Sequence, residues 1–275
     1  MPSSMQNKRS GFLFTLLSIA IIVAAWWALA ETRFRYTGII PSPAATLRII
    51  LEEMRRDSFS MAVLSTLERA LVSFFVSFAA ASVLAIMAHY RKFVGHLLNP
   101  FIVICRAMPV VALILILLIT VGSRMLPVAV AFLVVFPLCY ENMRAAIAQT
   151  DTKLIMMARV FKVPKIRQIT GIYIPAMMPL IFSSIVAGFG LNLKVVISAE
   201  VMGLPAMSIG YLILFAQQGF NFAVSFAWVV IAVILCFASE SILQIIQRLC
   251  MPYKYPDLKI IKNAVKKLFG KKAIQ

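Results

Sequence analysis

Residues 141–179 of this 275-residue chain read ENMRAAIAQTDTKLIMMARVFKVPKIRQITGIYIPAMMP, a polar and basic stretch between two long apolar segments. Apolar residues recur within it at the spacing of one helix face: Leu154, Met157, Ala158 and Phe161. Side-chain oxygens of Thr150 and Asp151 can cap the start of this helix, and Val163-Pro164 is expected to end it. The pattern predicts a helix over 151–162. Because so short a helix is marginal alone in water, its apolar face needs a partner.

The composition is that of an integral membrane protein. Hydrophobic residues make up 62% of the chain and charged residues only 13%, and an apolar run of about 20 residues is long enough to cross a bilayer. Six such runs predict six transmembrane helices: 12–30, 62–88, 100–121, 126–140, 173–191 and 224–247. A further apolar stretch at 195–222 is interrupted by three glycines and Pro205. This stretch is therefore predicted to be a re-entrant or gate segment.

The distribution of charge predicts the orientation of the chain in the membrane. The net charge is +17, and 18 of the 27 lysines and arginines fall in segments placed on the cytoplasmic side by six spans and a cytoplasmic N-terminus: 1–11, 89–99, 141–172 and 248–275. Seven fall in the outer segments: 31–61, 122–125 and 192–223. The positive-inside rule then places both termini in the cytoplasm. Nucleic-acid binding is excluded as an explanation, because the basic residues flank membrane spans.

The sequence carries no catalytic or metal-binding motif. The four cysteines are far apart and form no C-x-x-C pair, which argues against a disulfide framework or a zinc site. There is no H-E-x-x-H and no G-x-x-x-x-G-K phosphate-binding loop. We therefore expect a membrane protein that is not an enzyme and binds no cofactor. If transport uses ATP, another chain must hydrolyse it.

The spacing within 156–175 resembles the cytoplasmic EAA loop of ABC-importer permease subunits. That pattern is Glu-Ala-Ala, three residues, Gly, nine residues and Ile-x-Leu-Pro. Here Met156-Met157-Ala158 stands at the first position, Lys162 at the glycine and Ile172-Tyr173-Ile174-Pro175 at the end. The glutamate and the glycine are absent. Further segments, in the same order along the chain, resemble permeases of the nitrate/sulfonate/taurine type: Pro41-Ser42-Pro43, Ser65-Thr66-Leu67-Glu68-Arg69, Arg106-Ala107-Met108-Pro109 and Ala199-Glu200.

The resemblance implies an all-α membrane protein of the type I ABC-importer kind, with about six transmembrane helices and a cytoplasmic coupling helix. It implies one permease domain over 1–275 that forms the pathway for a small solute, such as a sulfonate, nitrate, taurine or a vitamin precursor. The implied partners are a second permease, cytoplasmic ATP-binding subunits that use the ATP, and an extracytoplasmic substrate-binding protein. The residues expected to couple to the ATPase are Leu154, Met157, Ala158, Arg159, Phe161 and Lys162.

Three alternatives stay open at the level of the sequence. The first is a stand-alone ion-coupled secondary transporter, which would need acidic groups in the membrane. The second is an intramembrane enzyme. The third is that the helix at 151–162 rests on the lipid surface, with its lysines and arginines reaching the headgroups.

Four charged residues lie within or near the predicted spans and are candidates for interior ion pairs or for the pathway: Glu200, Arg69, Arg106 and Lys194. Such charges usually face the bundle interior or a water-filled cavity, because lipid solvates them poorly. Glu200 is flanked by apolar residues and is the strongest candidate. We expect it to pair with one of the three cations, with a pathway-lining role as the alternative. Arg69 and Arg106 are near span ends and could instead reach the headgroups.

Two local features carry further expectations. Residues 41–56 predict an outer amphipathic helix, capped by Ser42, with an apolar stripe that rests on the outer leaflet or contacts the substrate-binding protein. The stripe consists of Leu47, Ile50, Leu51 and Met54. Lys162 stands where the family has a glycine, and a lysine resists the left-handed conformation by about 1–2 kcal/mol. Val163-Pro164 is therefore expected to provide the break that the glycine would supply.

Overall fold

The computed structural model describes residues 3–33, 39–150 and 152–250, and all regular structure in these ranges is helical. The helices are α1 (Ser3–Thr32), α2 (Pro43–Glu53), α3 (Asp57–Tyr90), α4 (Lys92–Ala107), α5 (Val110–Ala148), α6 (Thr152–Val160), α7 (Lys165–Gln168), α8 (Ile174–Gly203), α9 (Ile209–Gln218) and α10 (Phe222–Cys250), with a π-helical turn at Ile169–Tyr173. The all-α prediction is confirmed. The predicted Asp151 cap and nearly all of the predicted basic tail at 248–275 lie outside the described residues.

Four helical stretches are long and apolar enough to cross a membrane: Asp57–Tyr90, Val110–Ala148, Lys165–Gly203 and Phe222–Cys250. Two shorter apolar helices accompany them in the described part of the chain, Leu17–Thr32 and Ile209–Gln218. The chain divides into two compact units. The first comprises 1–67 and 197–234, and the second comprises 68–196 and 235–275.

The first unit packs around Trp228, whose side chain is almost fully buried. Its ring lies 5.7 Å from that of Phe59, and its Nε1 donates a hydrogen bond of 3.2 Å to Glu53. Trp26 of α1 donates from its Nε1 to the carbonyl oxygen of Pro41, at 3.0 Å. An indole that is wholly or partly removed from water normally finds such an acceptor, so the two tryptophans tie the segment before α3 to its neighbours.

The second unit is built on a stripe of small residues along α3. The stripe is completely buried and consists of Ala70, Ser73, Ser77, Ala81 and Ala85. Small side chains let helices approach closely inside a membrane. The buried side chain of Asn192 in α8 therefore reaches the backbone of α3. Its amide nitrogen donates to the carbonyl oxygen of Ala70 at 2.7 Å, and its amide oxygen accepts from the Ser73 hydroxyl at 3.0 Å.

The segment predicted as one span at 100–121 does not form a single helix. Met108 and Pro109 are both extended, with ψ of 127° and 129°, and they separate α4 from α5. The physical cause is the proline, which disfavours the helical region for the residue before it. A second interruption falls at Gly122, whose φ of 72° kinks α5.

The polar loop around α6 is shorter than predicted, because both flanking helices run beyond their apolar runs. α5 continues to Ala148 rather than ending at 140, and helical structure resumes at Lys165 rather than at 173. The length of an apolar run reflects the thickness of the hydrocarbon layer, about 30 Å. The helix that crosses this layer can continue beyond the apolar run at either end. The connection between the two long helices therefore spans only 149–164.

α2 begins as predicted, and its polar side is the one that is buried. Ser42 caps it by accepting from the amide of Ala45 at 3.3 Å. The predicted stripe residues Leu47, Leu51 and Met54 are more than half exposed, whereas Thr46 and Glu53 are buried. The apolar stripe is therefore free, and whether it meets the outer leaflet or the substrate-binding protein stays a prediction. Burial of Glu53 is tolerated because its carboxylate finds hydrogen-bonding partners, which offset the cost of leaving water.

Candidate functional site

α6 occupies Thr152–Val160, close to the predicted range of 151–162. The predicted cap by Thr150 is wrong. Its hydroxyl oxygen is buried, and among the described residues it has no hydrogen-bond partner. Thr150 instead lies just after the C-terminal cap of α5, where its amide donates to the carbonyl oxygen of Ile147 at 3.3 Å.

The C-terminal end of α6 depends on Lys162, which has a φ of 49°. The amide of Val163 donates to the carbonyl oxygen of Ala158 at 2.9 Å. A left-handed residue followed by this six-to-one hydrogen bond is the Schellman motif, which usually places glycine at the left-handed position. Lys162 thus adopts the glycine conformation at the glycine position. The expectation that Val163-Pro164 replaces that conformation is corrected.

A short connection joins α6 to the long helical stretch that follows. Pro164 is extended, with φ of −56° and ψ of 143°, and precedes the first turn of α7. The side chain of Gln168 donates from Nε2 to the carbonyl oxygen of Val163 at 2.7 Å. The backbone N–H of Gln168 donates to the carbonyl oxygen of Pro164 at 3.0 Å. These bonds fix the end of α6 to the start of the Lys165–Gly203 stretch.

The free apolar face of α6 is rotated from the predicted one. Four side chains are more than half exposed and form what we call the α6 patch: Met156, Met157, Val160 and Phe161. Ala158, predicted to lie on the docking stripe, is only 3% exposed and is covered by its own chain. Met156, predicted to lie on the opposite face, is 64% exposed. The side chains of Leu154 and Arg159 lie outside the described part of the structure.

Glu200 lies at the end of α8 and is completely buried. Its carboxylate accepts from the hydroxyl of Thr66 at 2.9 Å and from the amide of Gly210 at 3.4 Å. The Thr66 hydroxyl in turn accepts from the amide of Ile209 at 3.1 Å. Free amides at a helix start favour negative charge, so Glu200 serves as a remote cap for α9.

The turn between α8 and α9 confirms an interrupted segment within 195–222. Leu204 and Met207 both have positive φ, of 49° and 53°, and Ser208 caps α9 by accepting from the amide of Tyr211 at 3.1 Å. A Cβ on Gly210 would lie 2.4 Å from the backbone nitrogen of Val201. Only glycine lets α9 approach α8 this closely.

Two of the predicted intramembrane cations pair with carboxylates that the sequence analysis did not single out. Lys194 of α8 binds Glu240 of α10 at 2.8 Å, and Arg106 of α4 binds Glu141 of α5. Each of these two cations thus has a carboxylate partner other than Glu200, with which the sequence analysis expected one of the cations to pair. Arg69 is half-buried.

Sequence reasoning missed Glu53 and Glu240. Glu240 had a clear signal, since it is the one charged residue in the predicted span 224–247. Glu53 had none, because a glutamate beside Arg55 and Arg56 matches an exposed helix face. In the described residues, no group of three histidine, cysteine or acidic side chains is placed to hold a metal ion.

Comparison with known proteins identifies a family for this arrangement. Residues 77–250 match the family described as binding-protein-dependent transport system inner membrane component. A protein of Bacillus subtilis (strain 168) named as the aliphatic sulfonates transport permease SsuC is 24% identical over 252 residues, which cover 90% of each chain. A protein of Brucella melitensis biotype 1 named as an ABC transporter permease is 23% identical over 245 residues, 89% of this chain and 98% of the relative.

Solved structures share the fold. A bacterial ABC transporter involved in the import of alginate superposes with a TM-score of 0.59 at 15% identity, over 89% of this chain and 97% of the other. The MetNI methionine ABC transporter, described as inward facing, superposes with a TM-score of 0.57 at 18% identity, over 70% of this chain and 95% of the other. The chain belongs to the binding-protein-dependent inner-membrane family and is the multi-pass permease component of an ABC importer, in which ATP is used by the partner ATPase.

Proposed function

We propose that this permease forms a solute pathway with a second copy or a related permease, and that cytoplasmic ATPase subunits dock on the α6 patch. The observation that carries the docking proposal is the patch itself. It presents four exposed apolar side chains in a loop that is otherwise basic. An apolar helix face without a partner in its own chain is suited to insertion into a groove of another protein.

The anchoring of α6 is compatible with docking on a protein. Ala158 is covered by its own chain, while Val160 and Phe161 are 78% and 74% exposed. The helix is therefore held on one side and free on the other, as a docking element needs to be. Lys162 is exposed beside the patch and supplies a cation at its rim.

The same geometry supports a route for coupling. Only residues 161–164 separate α6 from the Lys165–Gly203 stretch, and Gln168 bonds back across that connection. Movement of α6 with an ATPase subunit would therefore act on a helix that is long enough to cross the membrane. In this proposal, ATP-driven closure of the ATPases reorients the membrane helices through that connection.

The proposed solute is a small organic anion of the sulfonate class, delivered by an extracytoplasmic binding protein. Its support is the name of one distant relative, the sulfonate permease at 24% identity. Uptake by the reconstituted complex with its binding protein, measured for labelled alkanesulfonates, taurine and nitrate, tests it. Preference for nitrate over every sulfonate would contradict the assignment. The alternative of a stand-alone ion-coupled transporter is not retained, because the family is dependent on a binding protein.

The docking proposal is tested by placing a charge on the α6 patch. We expect Phe161→Asp to leave the permease in the membrane but to lower both co-purification of the ATPase and ATP-dependent uptake in proteoliposomes. Burying an unpaired carboxylate in the interface is costly, and a loss of at least about tenfold corresponds to only about 1.4 kcal/mol. Phe161→Leu keeps the face apolar and should retain both activities.

The matched control introduces the same charge outside the patch. Thr170 is exposed in the π-helical turn at Ile169–Tyr173. Thr170→Asp introduces the same charge as Phe161→Asp without touching the α6 patch. Ala158→Asp is not a suitable test, because Ala158 is buried in its own chain. Normal ATPase recovery and uptake in Phe161→Asp would contradict docking on the patch.

A further inference from the structure

A polar groove lies between α8 and α10 in the second unit. It has a volume of about 370 Å³. Its polar lining consists of Ser183 of α8 and Glu240, Gln244, Gln247 and Arg248 of α10. Both helices belong to stretches that are apolar and long enough to cross a membrane. Lipid would solvate this polar lining poorly, so we expect something other than lipid to fill the groove.

The second half of α10 is amphipathic. Its polar residues recur at i, i+4, i+7 and i+8 from Glu240, which places them on one face of the helix. The other side carries Ile242, Ile245 and Leu249, which are all more than half exposed. The apolar face suits lipid. A face with a carboxylate, two amides and a guanidinium does not, because such groups face the bundle interior or water.

The ion pair at the end of this groove is exposed. The Nζ atom of Lys194 lies 2.8 Å from Oε1 of Glu240, and their side chains are 58% and 31% exposed. Gly190 leaves room for the carboxylate, since a Cβ there would lie 2.3 Å from the same oxygen. Lipid contact with an exposed ion pair is costly, so this face needs water or another protein against it.

We propose that this groove faces water and forms part of the wall of the solute pathway. This rests on the proposed function, in which the permease encloses a pathway. A volume of about 370 Å³ accommodates on the order of ten waters, at about 30 Å³ each. Lys194 and Glu240 neutralise each other, so the wall offers neutral hydrogen-bonding groups together with the positive charge of Arg248. A small hydrated solute can therefore pass.

Thiol accessibility tests the groove. In a background without the four native cysteines, Gln244→Cys is compared with Ile245→Cys, its neighbour on the apolar face, in the complex with its ATPase subunits in proteoliposomes. We expect a charged, membrane-impermeant methanethiosulfonate to modify Gln244→Cys at least about tenfold faster, since only a thiolate in contact with water reacts readily. Saturating sulfonate, presented with the binding protein, should slow the modification of Gln244→Cys.

Three results would overturn the proposal. Equal rates at the two positions would mean that the groove is not wet. Spontaneous disulfides between two Gln244→Cys chains, with no modification of that thiol by the reagent, would make this face a dry permease–permease interface. Fast labelling that neither solute nor ATP alters would mean wet surface outside the pathway. Labelling does not require docking on the α6 patch, so failure of the groove and failure of Phe161→Asp to release the ATPase are distinguishable.

Discussion

Lys162 shows how a residue that departs from a family pattern can keep the geometry of that pattern. Its φ of 49° and the hydrogen bond from Val163 to Ala158 reproduce a cap that glycine forms without strain. The left-handed conformation costs a lysine about 1–2 kcal/mol. That strain lies at the end of the helix on which the docking proposal rests.

Lys162→Gly should therefore stabilise the end of α6. We expect a gain of about 1 kcal/mol, because glycine adopts positive φ without a clash of its side chain. Hydrogen–deuterium exchange of the Val163 amide measures it directly, and protection should rise about fivefold. Lys162→Val, with a β-branched side chain, should lower that protection. Unchanged or reduced protection in Lys162→Gly would contradict the strain argument.

Glu200 should matter through the groups that it caps. Glu200→Ala leaves the Thr66 hydroxyl and the Gly210 amide without their shared acceptor, and each such loss costs about 1–3 kcal/mol. We expect a clear drop in the thermal unfolding midpoint of the purified permease. Glu200→Gln keeps one acceptor oxygen and should be milder. Glu200→Gln that folds normally but abolishes uptake would instead indicate a role in the pathway.

The sequence located Glu200 as an interior charge but did not identify its partners. Apolar flanks are a local signal, and they were sufficient to single it out. Thr66 and Gly210 come from two other helices, and nothing in the spacing of 134 residues between Thr66 and Glu200 predicts their contact. The missed Glu240 is different, because its position in an apolar run was visible from the start.

At the scale of elements, α9 is positioned by one close contact. Gly210→Ala would bring a Cβ to 2.4 Å from Val201 backbone nitrogen, which cannot move away independently. We expect α9 to shift and the permease to lose stability by about 2 kcal/mol or more, within the usual range for overpacking. Gly219→Ala is the matched control, because its nearest atom would be 3.6 Å away. Thermal unfolding of both variants decides this, and equal midpoints would contradict the close-packing account.

Periodicity predicted where α2 and α6 lie but not which faces they bury. Both helices begin close to the predicted residues, and for α2 the reason is that the Ser42 cap and Pro43 act locally. The buried sides of the two helices were not predicted, and Ala158 was wrongly placed on the free face of α6, because burial is set by partners elsewhere. Trp228 offers Glu53 a hydrogen bond and draws the polar side of α2 inward. α6 is anchored through Ala158, so its free face includes Met156.

At the scale of the whole molecule, docking of ATPases requires the α6 loop on the cytoplasmic side. We expect Lys162→Cys to be labelled by an impermeant maleimide only after the membrane is opened, and Arg55→Cys to be labelled in intact cells. We expect this orientation because most of the lysines and arginines lie in the segments that it places in the cytoplasm. Labelling of position 162 from outside would refute this orientation.

The most direct measurement of the central claim is site-specific crosslinking from the α6 patch. A photoreactive amino acid in place of Val160, which is 78% exposed, should crosslink to the ATPase subunit in native membranes. The same group in place of Thr170 should give little of that product. We predict a species with the combined mass of permease and ATPase from position 160 that increases when ATP is present. Adducts with lipid alone from position 160, while the ATPase still co-purifies, would contradict docking through α6.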